Sequence, residues 1–207
     1  GGYGVQSIGD RNIIRNNKIH DNGTWGGSNY GIDVGAGIYP STANQLIYNN
    51  LIYGCESNGI NLIATRTDGA EPSGIAGLKI LNNTIVSNGG FGLRISTVGA
   101  HTVSVAELAN NIFASNGAPQ INVLDSGGTI VAANTNLYFG AGTLLTYQGG
   151  NLTFPQWQAL GFDAAGINAD PLLDAAYVPM VGSPARSAAQ TRSEFSVDKN
   201  EVARPIP

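Results

Sequence analysis

Arg94, Tyr39 and Arg66 are the residues best suited to chemistry on an acidic substrate. Abstracting a proton beside a uronate carboxylate needs a base of Lys, Arg, His or Tyr type and a positive group to neutralise the acid. Arg94 and Tyr39 each close a short phrase opened by a small or polar residue. The set is Gly4-Val5-Gln6, Gly37-Ile38-Tyr39, Gly59-Ile60-Asn61, Gly92-Leu93-Arg94 and Gln120-Ile121-Asn122. Stacked as strands in register, these phrases put Gln6, Tyr39, Asn61, Arg94 and Asn122 on one outward column. In that column Arg94 is able to pair with a carboxylate, Tyr39 to stack on a flat ring face and the amides to bond hydroxyls. Trp25 and Tyr30, with Arg66, Asp68 and Glu71, stand in glycine-rich insertions that form the walls of such a groove. The same column also reads as a solvated face, because outward residues of stacked strands are polar in any case.

Other chemistries find less support. Glycoside hydrolysis requires two carboxylates about 5 to 9.5 Å apart. The column offers none, and Asp33 and Asp68 meet only if their loops converge. Asp68 and Glu71 are the one candidate pair for Ca²⁺, too few for an oxygen shell on their own, so no cofactor is expected. His20 and His101 stand apart from any matching ligand set, which argues against a metal. Cys55 is the only cysteine and has no cation near it in sequence, so it reads as a buried, inert thiol.

The elements that must hold this column come from a repeat. Asn16-Asn17-Lys18-Ile19, Asn49-Asn50-Leu51-Ile52, Asn82-Asn83-Thr84-Ile85 and Asn110-Asn111-Ile112-Phe113 recur 33, 33 and 28 residues apart. Such a period marks stacked repeat units. Apolar residues within a unit alternate, as in Leu78-Lys79-Ile80, so each unit is built of strands. Strands returning in one direction pair with their own copies in parallel sheets wound into a solenoid. Asparagine tolerates left-handed backbone at the corners, and at about 4.8 Å spacing its amides bond one another up the axis. We read these asparagines as a structural ladder rather than as ligands.

Charged residues make up 12% of the 207, Gly accounts for 29, and the net charge is −4. Tight coils use such glycine. Without a basic stripe, nucleic acid is not an expected partner, and no apolar run is long enough for membrane insertion. Residues 1–140 are assigned to about five parallel coils and 141–207 to a capping segment of the same domain. Insertions interrupt the coils at residues 22–36, between Asn61 and Lys79, and around His101. The chain opens in mid-coil, and N-terminal coils or another chain are expected to cover that end. Thr153 is placed to cap a short helix through Pro155, Trp157 and Leu160, stopped by Gly161. On the next sheet Ile13, Leu46, Lys79 and Glu107 form an outward column, continued by Tyr48 and Leu81. Its apolar members call for a cover, and the returning tail is the expected one.

Phe154-Pro155-Gln156-Trp157, Gly161-Phe162-Asp163, Ala169-Asp170-Pro171-Leu172 and Gly182-Ser183-Pro184-Ala185 join the Asn-Asn-x-Ile phrases in a resemblance. The chain resembles secreted bacterial right-handed parallel β-helix repeat proteins of the pectate-lyase-like superfamily. It departs from their pattern at Arg186, where an apolar residue is more usual. The resemblance implies an all-β solenoid closed by a short helix and an irregular tail, in a secreted or cell-surface protein. Relatives of this shape include polysaccharide lyases, polygalacturonases, epimerases, tailspikes and adhesins, and fold alone does not choose among them. The expected function is polysaccharide binding along one sheet, with Arg94, Tyr39 and Arg66 as candidate lyase residues. Gln6, Asn61, Asn122, Trp25 and Tyr30 are the expected sugar contacts. The competing expectation is a non-catalytic structural or adhesive solenoid within a longer surface protein.

Overall fold

A computed structural model of the chain describes residues 4–23, 31–36, 41–64, 74–198 and 202–203. Its strands form three sheets of parallel neighbours. The first contains Val5–Ser7, Ile32–Ala36, Ile60–Ala64, Leu93–Thr97, Ile121–Val123 and Leu145–Tyr147, with Gly150–Leu152 antiparallel at its end. The second runs through Ile13–Arg15, Leu46–Tyr48, Gly74–Leu81, Thr102–Ala109 and Gly128–Ile130. The third stacks Lys18–His20, Leu51–Tyr53, Thr84–Val86, Ile112–Ala114, Leu137–Phe139 and Ile167–Asn168. The repeat thus continues past residue 140, because Leu145–Tyr147 and Ile167–Asn168 add a further rung to two sheets.

Two kinds of corner close each coil. Between the second and third sheets Asn16, Asn49, Asn82 and Asn110 take φ of 57°, 54°, 53° and 58°, a left-handed conformation that asparagine adopts cheaply. The next asparagine turns inward. Asn17, Asn50, Asn83 and Asn111 each donate through Nδ2 to the Oδ1 one coil further on, at 3.0, 3.0, 3.0 and 2.9 Å. Asn136 continues the chain of amides to Asp163 Oδ1 at 2.9 Å.

Between the third and first sheets the corner is glycine. A Cβ on Gly31 would lie 2.3 Å from Ile52 Cγ2, and one on Gly59 2.4 Å from Ile85 Cγ2. The backbone therefore packs directly on the third-sheet isoleucine, which leaves no room for a side chain.

Inside, Ile14, Ile47, Ile80 and Leu108 of the second sheet meet Ile52, Ile85, Phe113 and Tyr138 of the third and Ile60, Leu93 and Ile121 of the first in one continuous core. The C-terminal end is closed by the helix Phe154–Ala159. Its capping box is complete: Thr153 N donates to Gln156 Oε1 at 2.8 Å, and the Thr153 hydroxyl accepts from Gln156 N. The helix buries Trp157, whose indole donates to Asp163 Oδ2 at 2.8 Å.

From residue 170 the tail returns over the outside. Leu173 and Tyr177 pack on the outward face of the third sheet, with Tyr177 4.7 Å from the Tyr53 ring. Phe195 then stacks on Tyr48 at 4.6 Å over the apolar column of the second sheet. That column has the register expected for it, Ile13, Leu46, Lys79, Glu107 and beside it Arg15, Tyr48, Leu81, Ala109. Lys79 binds Glu194 at 2.6 Å, Glu107 pairs with Arg192, and Asn49 and Asn110 donate to the carbonyls of Val197 and Gln190. The described contacts that the tail makes outside itself go to the second and third sheets and to the asparagine corner between them.

Candidate functional site

The first sheet is the face these tail contacts leave alone. Its outward column is Gln6, Asp33, Asn61, Arg94, Asn122 and Thr146, fixed by continuous parallel register. The second coil corrects the sequence reading. Its strand is Gly31-Ile32-Asp33, not Gly37-Ile38-Tyr39, so an acid stands in the column where a tyrosine was expected. Tyr39 lies outside the described residues, as do Trp25, Tyr30, Arg66, Asp68 and Glu71. The structure brings together four of the predicted site residues: Gln6, Asn61, Arg94 and Asn122.

Arg94 is the centre of this column. It is half-buried and lies back along its neighbours, with Nη1 donating to Asn61 Oδ1 at 3.2 Å and Nη2 to Ser96 Oγ at 3.3 Å. Asn58 also donates to Asn61 Oδ1, at 3.5 Å. Asn61 and Ser96 are buried, so the guanidinium is seated on neutral oxygens. Among the described residues no carboxylate lies within ion-pairing distance of Arg94. The planar fork keeps donors to spare for an external carboxylate.

Asn122 occupies the next rung. It is 7% exposed, and its Oδ1 has no hydrogen-bond partner among the described residues. Thr146, one rung further, donates to Asn151 Oδ1 at 3.2 Å. Beside the polar column, two residues on along each strand, runs a second outward column through Ile63, Ser96 and Leu124. Leu124 is 45% exposed. Sequence reasoning missed Ser96 and Leu124, although alternation along the strand was the signal that would have found them.

The described residues contain no group of three or more His, Cys, Asp and Glu side chains able to hold a metal ion. His20 is exposed, bonded to Asp21 at 2.7 Å and stacked on Tyr53 at 4.9 Å, remote from the first sheet in the fold. Cys55 takes an asparagine's place in a second corner ladder. Asn22 Nδ2 donates to its Sγ at 3.6 Å, and its own N–H donates to Asn88 Oδ1 at 3.1 Å. Burial pushes the thiol up, against the hydrogen bonds from Asn22, so it is a poor nucleophile.

The family described as right handed beta helix region matches residues 1–154, most of the chain. The chain belongs to the right-handed β-helix family. This membership accounts for the three-sheet coil and its corners, since parallel crossovers in one sheet are right-handed. No curated protein matches this β-helix. No solved structure matches it either. Among its described residues no helix is long and apolar enough to cross a membrane.

Proposed function

We propose that this β-helix is an extracellular protein that binds an acidic polysaccharide along the outward face of its first sheet. One observation carries the reading. The tail seals the apolar outer faces of two sheets, and the remaining sheet carries a polar column whose half-buried arginine pairs with no carboxylate among the described residues. Parallel strands repeat about every 4.8 Å, so an extended polymer laid along the axis meets one equivalent position per coil. Arg94, seated on the buried Asn61, supplies the charge-assisted contact to a sugar carboxylate, while Asn122 and Gln6 supply hydroxyl contacts. The described geometry supports binding further than it supports β-elimination. Arg94 is committed to Asn61 and Ser96, and the other two candidate lyase residues, Tyr39 and Arg66, lie outside the described residues.

The test is gel retardation on polygalacturonate, alginate and a neutral polysaccharide, with the unsaturated product followed by its ultraviolet absorbance. Wild-type protein is expected to be retarded by at least one of the polyuronates and not by the neutral gel. Arg94→Ala is expected to abolish the retardation. Retardation that survives Arg94→Ala, or none on either polyuronate, rejects the reading and leaves the structural or adhesive solenoid. New absorbance would add the lyase step.

A further inference from the structure

Asn122 differs from the inner asparagines of the ladder in its Oδ1, which it leaves unbonded as the corner residue Asn16 does. The ladder amides are buried too, but each is bonded on both sides. Asn122 is also buried, at 7% exposure, yet its Oδ1 has no partner among the described residues. A buried polar atom without a partner costs about 1–3 kcal/mol, and native structures hold few of them. A leucine or valine would fill this outward position without that cost. Asn122 also adjoins Arg94 across one strand spacing and shares its strand face with the exposed Leu124. A donor, a spare acceptor and an apolar surface therefore meet across two adjacent rungs.

We propose that Arg94, Asn122 and Leu124 form one subsite for a single sugar ring. Arg94 takes the carboxylate, Asn122 turns its amide to accept a ring hydroxyl, and Leu124 covers the C–H face. This rests on the polysaccharide reading above and adds the residue that selects for free hydroxyls. The unpaired acceptor is a stability cost kept at this position, so binding and stability trade against each other there.

The experiment uses the whole chain, with Asn122→Leu, Asn122→Ala and Leu124→Asp. The probes are polygalacturonate, alginate and polygalacturonate O-acetylated on its free hydroxyls. Wild-type protein is expected to bind at least one of the two free polyuronates, and to bind polygalacturonate about five-fold more tightly than its acetylated form, the equivalent of one hydrogen bond. Asn122→Leu and Asn122→Ala should erase that preference and weaken binding to the free polymer by a similar factor. Leu124→Asp should weaken binding to both forms. Asn122→Leu should leave the melting temperature unchanged or raise it, which a purely structural asparagine would not allow. A lowered melting temperature for Asn122→Leu, or unchanged selectivity in both Asn122 variants, overturns the subsite while leaving the polysaccharide reading intact. Failure of wild-type protein to bind either free polyuronate overturns both.

Discussion

Asp163→Asn tests whether the asparagine ladder needs an acceptor at its end. Asp163 is fully buried and receives four donors. Oδ1 accepts from Asn136 N at 3.0 Å and Asn136 Nδ2 at 2.9 Å, while Oδ2 accepts from the Tyr138 hydroxyl at 2.7 Å and Trp157 Nε1 at 2.8 Å. Burial and the neighbouring carboxylate push the Tyr138 hydroxyl well above its ordinary pKa, so it stays a donor. An asparagine keeps one carbonyl for Asn136 and then turns an NH₂ toward Tyr138 and Trp157. The hydroxyl can rotate to accept, but the indole N–H has no such choice. One orphaned buried donor costs about 1–3 kcal/mol, and losing the charge assistance brings the total to about 2–4 kcal/mol. For a chain of this size that lowers the melting temperature by about 5–15 °C. Urea unfolding followed by Trp157 fluorescence, in a Trp25→Phe background, reads it directly. An Asp163→Asn protein within about 0.5 kcal/mol of its parent would refute the reasoning.

The remaining predictions use the corners and the tail. Gly59→Ala should cost about 1–3 kcal/mol, because its Cβ would sit 2.4 Å from Ile85 Cγ2. Gly150→Ala, whose nearest neighbour would be Tyr147 O at 3.5 Å, should be near neutral in the same urea titration. Cys55→Asn should complete the second ladder and stabilise by about 0.5–1.5 kcal/mol, whereas Cys55→Ala should not. Hydrogen bonding to Lys79 lowers Glu194 against its burial, and the same contact raises Lys79. The lowered acid stabilises the folded state above the ordinary carboxylate range and loses that effect as pH falls through its folded value. The raised amine stabilises below the ordinary lysine range and loses its effect as pH rises past its own folded value. NMR contacts between Phe195 and Tyr48 should therefore be strongest between those limits and weaken beyond each. Contacts unchanged down to the acid end would contradict this.

The parts of the fold legible in the sequence are those where one residue type answers one local demand. The paired asparagines mark left-handed corners, and Thr153 with Pro155 marks a helix start. The outward column of the second sheet lies three residues before each asparagine pair, at Ile13, Leu46, Lys79 and Glu107. The second-coil strand failed because Gly31-Ile32-Asp33 and Gly37-Ile38-Tyr39 look alike, and the latter lies 12 residues before its asparagine pair, as in the first coil. Nothing fixes that interval, since loops of different length leave the first sheet there. The interval from Asn50 to Gly59, Asn83 to Gly92 and Asn111 to Gln120 is a constant 9, because a tight corner joins those positions. In the first coil that corner carries an insertion, so even this rule would have missed Gly31. Asp163 stands 27 residues after Asn136, one coil on, but its place within an irregular tail hid its role. The unpaired amide of Asn122 depends on what surrounds it in three dimensions and has no sequence signature.

The ladder also has a direction. Each inner asparagine hands an amide proton to the side chain of the following coil, and the series closes on a carboxylate that has none to pass on. A duplicated coil spliced anywhere between Asn17 and Asn136 would meet a donor on one side and an acceptor on the other. One spliced after Asp163 would find no donor offered to it. Lengthening such a solenoid, by natural gene duplication or by design, is therefore expected to proceed by insertion upstream of this acid, with the terminus inherited unchanged.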